Sequence, residues 1–471
     1  MKYKIKYRNE LKNKYFCQIL NYYCIFKFLL LLIIIKGIEI YFKIRNEDYL
    51  KLNNNYSLIN KKFNLIEKYN IKKEINIGIY AFSIKNGGRA RFTSLLINYL
   101  AQIKIFKIVL FIRTAKQDDE YKLPNNIKRI LVDQNLINKI KKNKIHIFIY
   151  QLSFSDEIKI LNNVTNIKII FYQHLGIFDW IYGNYTIFKN LYREYMNSKY
   201  IINIIPYENV YIFKQWGMQS IYMNNFMTYE FDKIFPSYLS SKTILMIGRG
   251  DAKKKRFPIG IEAMEYIKEE IHDIEMIIIS DLFRLSIIKS LINNLNLEPF
   301  IKFEGYIASP EIYFKNISLN LFPSISEAFP LVLCETKIYG IPSILLGLDY
   351  TTISEGGTII IYDDSPESLA KATIEILRNK NHLFELGKQA RNSMKIFNND
   401  NILTKWIKSI LSLYYTDKFD KDFNDEDNKL SEIEAINILK RQVNLLKKRI
   451  PIFENANIND FLNFTYMENI I

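Results

Sequence analysis

Cysteine is scarce in this chain, at 3 among 471 residues. Cys17 and Cys24 flank or enter an apolar N-terminal stretch and Cys334 stands alone, so neither a disulfide framework nor a Cys-based metal site can be read. Histidine is nearly as rare. His146, His174, His272 and His382 show no His-x-x-x-His or His-Glu-x-x-His spacing, which speaks against a zinc hydrolase. With 16 Gly and 11 Pro, collagen-like and linker-like compositions are excluded. What the chain does have is apolar mass: 49% hydrophobic residues against 24% charged is the balance of a folding chain. Its 471 residues exceed one hydrophobic core, so two packed domains plus accessory segments are expected. The net charge of +16 points toward an anionic partner. Lys, Ile, Asn and Tyr dominate nearly every segment, however, and no nucleic-acid-binding motif accompanies the charge, so nucleic acid is not expected as a partner.

From Phe16 to Ile35 the chain is mostly apolar and follows Lys2, Lys4, Lys6, Arg8, Lys12 and Lys14. Positive charge followed by an apolar run is the pattern of a signal-anchor, and no small-residue cleavage site follows it. Gln18, Asn21 and Lys27 interrupt the run, while Ile38, Ile40 and Phe42 extend it toward the roughly 20 residues that a spanning helix needs. The expectation is a single-pass anchor at 1–43, with the side of the membrane left open by Lys36, Lys43, Arg45 and Lys51 on its other flank. A helix belonging to the folded domain is the alternative. Residues 44–74 are polar and poorly periodic and read as a tether.

Apolar strands then alternate with helical patterns, the signature of a parallel sheet covered on both faces. One series fills 75–227, with strands at 75–80, 108–112, 145–150, 167–172 and 200–205. A second fills 228–395, with strands at 243–247, 276–279, 301–303, 319–322, 343–346 and 358–361. Two doubly wound halves in tandem are expected to face each other across a cleft, because ligands of open α/β sheets sit beyond the carboxyl ends of the strands. A helix at 396–415, capped by Asp400 and carrying Trp406, packs back across them. A charged tail, 416–471, contains an acidic stretch from Asp417 to Asn428 and an amphipathic basic helix from Leu430 to Arg449 that reads first as a solvated helix and second as a membrane or partner surface.

Three clusters carry candidate chemistry. After strand 243–247 comes Gly248-Arg249-Gly250-Asp251-Ala252-Lys253-Lys254-Lys255-Arg256. A glycine turn that brings Arg249 and Lys254 or Lys255 to one strand end suits a diphosphate, since Arg grips phosphate oxygens bidentately and Lys acts as a mobile point charge. A solvated basic turn is the alternative. Strand 319–322 then stops at Pro323, Pro330 fits the first turn of a helix, and Gly340 and Pro342 end it. Glu327 lies on the loop into that helix and Glu335 two turns on, a placement suited to hydroxyl-rich ligands. In the first half Gly87-Gly88 opens a helix near Ala90, whose bare N–H groups suit an anion. His174 directly follows a strand and so sits at the cleft.

The ordered set Gly248-Arg249, Lys254-Lys255-Arg256-Phe257, Phe303-Glu304-Gly305-Tyr306, Pro323-Ser324-Ile325-Ser326-Glu327-Ala328-Phe329, Glu335 and Tyr339-Gly340-Ile341-Pro342 resembles the donor-binding half of family 4 retaining glycosyltransferases. The resemblance is specific over 243–376, and it extends less sharply to Gly87-Gly88 and to Tyr172-Gln173-His174. It implies the two-domain GT-B fold, here preceded by the expected transmembrane helix. It further implies that Arg249 and Lys254 or Lys255 hold a nucleotide diphosphate, that Glu335 binds the donor ribose, and that Glu327 contacts the transferred sugar. Phe329, Leu331, Gly87 and Gly88 fall to the donor site, and His174 to sugar-hydroxyl or phosphate contact. Pro330 and Ser280-Asp281-Leu282 depart from the family's glycines and bear on the detail of the sugar contacts.

The expected activity is transfer of a sugar from a nucleotide diphosphate sugar to an acceptor hydroxyl, glycan or lipid-linked, with retained configuration. Cations stabilise the departing diphosphate, so no Asp-x-Asp motif, metal or further cofactor is expected. A GT-B scaffold that binds glycan or nucleotide without catalysis, and a sugar-nucleotide epimerase of the same fold, are the alternatives.

Overall fold

The computed structural model describes residues 73–450, except 86, 119, 152–160, 162–163, 165–166, 180, 183–197, 230, 250–251, 281–284, 308 and 420–429, together with Glu454. The expected anchor at 1–43 and nearly all of the expected tether lie outside the described residues. Among the described residues no helix is long and apolar enough to cross a membrane. Ile71–Ile471 is one compact unit.

Two parallel sheets build it. The first runs β3-β2-β1-β4-β5-β6-β7, from β1 (Ile75–Ala81), β2 (Phe106–Ile112), β3 (Lys128–Leu131), β4 (Ile147–Gln151), β5 (Lys168–Gln173), β6 (Tyr200–Asn203) and β7 (Ser220–Tyr222). The second runs β10-β9-β8-β11-β12-β13, from β8 (Thr243–Ile247), β9 (Glu275–Ile279), β10 (Ile301–Gly305), β11 (Leu319–Phe322), β12 (Ser343–Leu346) and β13 (Thr358–Ile361). In each sheet the first strand pairs on one side with the second and on the other with the fourth, so chain direction across the sheet reverses there. That switch point opens a crevice at the strands' carboxyl ends. Near-continuous Ile, Leu, Val and Phe in the central strands follows from burial on both faces.

Eleven of the strands stand where the hydrophobic runs put them, and β3 and β7 lie outside those runs. Both are short edge strands. Lys128-Arg129-Ile130-Leu131 is exposed at its two ends and half-buried between them, so it carries no apolar run to betray it. β7 has only three residues.

Helix α1 (Gly87–Leu100) begins earlier than the expected Ala90, and Phe92, Leu96, Ile97 and Leu100 bury one face of it. α2 (Phe257–Glu270) follows β8, α3 (Leu331–Ile338) follows β11, and α4 (Pro366–Arg378) and α5 (Lys380–Ser393) complete the second half. α6 (Asn399–Thr416) crosses back onto the first half. Asn398, not Asp400, is its N-cap, with the Asn398 side chain accepting from the Asp400 N–H. Both residue types cap well, so the sequence leaves the choice between neighbouring candidates open. The fully buried Trp406 ring lies against Phe92 (6.4 Å) and Tyr172 (5.6 Å). At the far end Asp417 pairs with Lys168 and Lys199 and accepts from Tyr200.

The tail helix α7 (Glu432–Arg449) opens with a capping box between Ser431 and Glu434. It is not the solvated helix its charge suggests. Ala435, Leu439 and Leu446 are wholly buried, and Ile438, Val443 and Leu445 nearly so. Arg441 and Arg449 pair with Asp349 and Asp364, on the loops that follow β12 and β13. Those loops hold apolar surface and fixed carboxylates that the tail's own sequence does not disclose.

Candidate active site

The carboxyl ends of the two sheets meet at one cleft. On the first half Gly87 adopts a left-handed backbone (φ +84°) to start α1, a conformation glycine reaches without penalty. A Cβ on Gly88 would stand 3.7 Å from Leu331 Cδ1, so the start of α1 faces the start of α3 across the cleft. Gly87 and Gly88 are exposed and their backbone is open to a ligand.

On the second half Lys254 and Lys255 stand on one helical turn, Ala252–Lys255, directly before α2. Lys255 pairs with Glu327, and its ammonium lies 5.3 Å from the centre of the Phe322 ring. Lys254 pairs with Asp179 of the first half. Burial works to lower the Lys254 ammonium, and the charges of Asp179 and Glu327 outweigh it, so its pKa ends above the usual value. Arg249, at the end of β8, is exposed. Its charge adds to burial in lowering the guanidinium of Arg89 on the first turn of α1, so cations from both halves converge.

Glu327 and Glu335 are held by different partners. Glu327 sits on the loop before α3, where its N–H donates to the Tyr350 hydroxyl at 2.8 Å. Glu335 lies within α3, 2% exposed, and accepts from Arg91 Nη1 at 2.5 Å. Burial pushes the Glu335 carboxyl up to about 6 against the opposing pull of Arg91. Pro330 is the N-cap of α3. Leu331 is the first residue of α3 and faces Gly88, whereas Phe329 packs edge-on against Phe397 at 5.8 Å, with its ring in the core.

His174 directly follows β5 and is half-buried. Its Nε2 lies 2.8 Å from Gln151 Oε1, and Gln151 is in turn bonded to Thr93 at 2.8 Å. Burial, with the charge of Arg89 added, drives the imidazole well below its usual pKa. A neutral ring with a fixed partner suits hydrogen bonding to a ligand hydroxyl better than proton storage.

Asp179, Arg89 and Arg91 join the site without having been singled out by the sequence. Asp179 is 4% exposed. It accepts from the Gly176 N–H at 2.9 Å and from Ser326 Oγ at 2.7 Å, and so ties the segment after His174 to the loop before Glu327. Behind it lies Glu208, wholly buried, which accepts from the Ile177 N–H at 2.6 Å and from Gln173 at 3.1 Å. Burial pushes the Glu208 carboxyl up to about 8. A lone Asp and a lone Glu near weak helical patterns offer no signal in sequence. Arg89 and Arg91 do carry one: both stand within the run Gly87-Gly88-Arg89-Ala90-Arg91, directly beside the glycine pair that opens α1.

This architecture is GT-B: two Rossmann-like halves with facing carboxyl ends. Residues 228–393 match the family described as glycosyl transferases group 1. Among solved structures, sucrose-phosphate synthase from Thermosynechococcus elongatus is similar at 17% identity, with 71% of this chain and 97% of that one covered and a TM-score of 0.58. HepE from Anabaena, in complex with UDP and glucose, is similar at 13% identity, 72% and 100% coverage and a TM-score of 0.57. A TarM variant from S. aureus, in complex with Fondaparinux, alpha-GlcNAc-glycerol and UDP, is similar at 13% identity, 73% and 100% coverage and a TM-score of 0.54. These likenesses establish the shared fold. No curated protein matches the sequence. With a glycosyl transferases group 1 domain in its second half, the chain is an enzyme of the glycosyltransferase class.

Proposed function

We propose that the protein transfers a sugar from a nucleotide diphosphate sugar to an acceptor hydroxyl with retention of configuration. The observation that carries this reading is the convergence of Lys254, Lys255, Glu327 and Glu335 on one strand-end crevice of the family-matched half, opposite the glycine start of α1. In the proposed complex the diphosphate lies between Arg249 and the two lysines, which exchange Asp179 and Glu327 for phosphate oxygens. Their charge then stabilises the leaving group as its bond to the sugar breaks, the usual largest contribution to such a barrier. Glu335 accepts from the ribose hydroxyls, Glu327 and neutral His174 contact the transferred sugar, and Gly87 and Gly88 let backbone N–H groups approach it. The UDP complexes of HepE and TarM support a nucleotide donor, and the glycan ligand of TarM supports a glycan acceptor; a lipid-linked glycan is the other acceptor proposed. The N-terminal segment 1–43 is proposed to hold the enzyme at a membrane. No cofactor beyond the co-substrate is invoked.

A screen of nucleotide sugars by thermal shift tests this reading, because a ligand bound only to the folded state raises the melting temperature. One donor is expected to stand out and to be turned over, slowly by water and faster with acceptor. Arg249→Ala and Glu335→Ala variants that bind and turn over that donor as well as the parent would overturn it. Retention is checked by the anomeric configuration of the product.

A further inference from the structure

The tail helix α7 ends inside the cleft. Arg449, its last residue, leaves only 7% of its side chain exposed. Its guanidinium grips Asp364 with two bonds, Nε to Oδ2 at 2.7 Å and Nη2 to Oδ1 at 2.8 Å. The remaining N–H groups reach three other elements: Nη1 donates to the Ile325 carbonyl at 3.2 Å and to the Tyr182 hydroxyl at 3.3 Å, and Nη2 to the Leu346 carbonyl at 3.4 Å. Asp364 also pairs with Arg256 at 3.0 Å, the left-handed residue that links Lys255 to α2.

Ile325 stands two residues before Glu327. Its N–H donates to the Lys254 carbonyl at 3.0 Å, and its own carbonyl is held by Arg449. One peptide segment is thus fixed between a diphosphate lysine and the tail. The approach of α7 is built in: Gly347 has φ +68°, and a Cβ there would come within 2.5 Å of Leu445 Cδ1.

We propose that Arg449 is a positioning residue of the active site: through the Ile325 carbonyl and Asp364 it fixes the Glu327 loop and the turn that carries Lys254 and Lys255. α7 is thereby part of the catalytic unit, although it begins at Glu432 and the family-matched segment ends at residue 393. A planar fork with five N–H donors can serve four acceptors at once, which an ammonium cannot. The assignment rests on the proposed function for its kinetic arm and on the fold alone for its exchange arm.

The test uses the full chain with Arg449→Ala and Arg449→Lys. Hydrogen exchange at the Ile325 and Glu327 amides is expected to quicken by about tenfold or more in Arg449→Ala, with β12 amides still protected. Turnover of the preferred donor is expected to fall by about 10- to 100-fold, because a small misplacement of a positioned group has that effect. Arg449→Lys, which keeps the charge and the fold but not the fork, falls between. Parental exchange and turnover in Arg449→Ala, full activity in Arg449→Lys, or a loss of protection spread evenly over β12 and α7 would each overturn the assignment. If the parent turns over no nucleotide sugar, the proposed function fails, and the exchange arm still decides the role of Arg449.

Discussion

The two sheets share the order third-second-first-fourth-fifth-sixth around the same switch point, yet their strand-end loops carry different chemistry. After β8 the chain supplies Arg249, Lys254 and Lys255 close together. After β1 and β5 it supplies the glycine start of α1, His174 and the carboxylate of Asp179. Each lysine is neutralised by a carboxylate, one across the cleft and one within its own half, and Arg91 of the first half neutralises Glu335 of the second. A common scaffold therefore fixes where ligands bind, while the loops decide which charges meet there and whether each pair forms within one half or across the cleft. In the proposed complex a diphosphate takes the place of the two carboxylates that face the lysines.

The largest effect expected from breaking this comparison is on the helix that joins the halves. Trp406→Ala removes a wholly buried ring from the contact of α6 with Phe92 and Tyr172, and should cost about 3–5 kcal/mol of stability, measured by denaturant unfolding. Next comes the lysine turn. Lys255→Ala should lower kcat by about 10²–10³-fold with the fold intact by circular dichroism, as removal of one charge-stabilising donor does elsewhere; a loss seen only in donor KM would assign the lysine to ground-state binding.

Glu208 sharpens the first half. Its folded pKa of about 8 lies above that of the unfolded chain, so the stability contributed by its proton is fully present below about pH 4.5 and is lost as pH rises through 8. The slope between is at most about 1.4 kcal/mol per pH unit. Glu208→Gln should remove this share of the pH dependence, read as the difference in melting temperature between variant and parent from about pH 5 to 9.

Glu335 gives a smaller effect on the second half. With its carboxyl at about 6, donor KM should rise as pH falls below 6, by up to about tenfold per unit, because the protonated group accepts fewer ribose hydroxyl bonds. Glu335→Gln should abolish that inflection, and neutral His174 should add none of its own between about pH 6 and 8. Least of all, Lys214→Ala breaks an exposed pair with Glu432 at 3.1 Å and should change stability by less than about 0.5 kcal/mol, a control for the buried pairs.

The fold is legible in the sequence because its signal is local. Runs such as Ile75-Asn76-Ile77-Gly78-Ile79 and Leu319-Asn320-Leu321-Phe322 can be buried only as inner strands, and their alternation with helices leaves few topologies. The edge strands Lys128–Leu131 and Ser220–Tyr222 are not legible in this way, since an edge strand needs no apolar run. The turns around Arg249, Lys254, Lys255, Glu327 and His174 mark their positions at strand ends or helix starts, and Glu335 follows inside the helix that Pro330 opens. The packing of the Phe329 ring against Phe397 is likewise a contact that no local pattern announces.

Composition and periodicity by themselves determined two doubly wound halves and the strand ends at which chemistry gathers, because burial acts on near neighbours in the chain. Only the tertiary structure decided the partners. Asp179 of the first half reaches Lys254 of the second, and Arg449 reaches Ile325 across 124 residues, and no local pattern encodes such a meeting. It is fixed by the packing of whole elements, which converts the apparently solvated basic helix Glu432–Arg449 into a packed wall of the cleft.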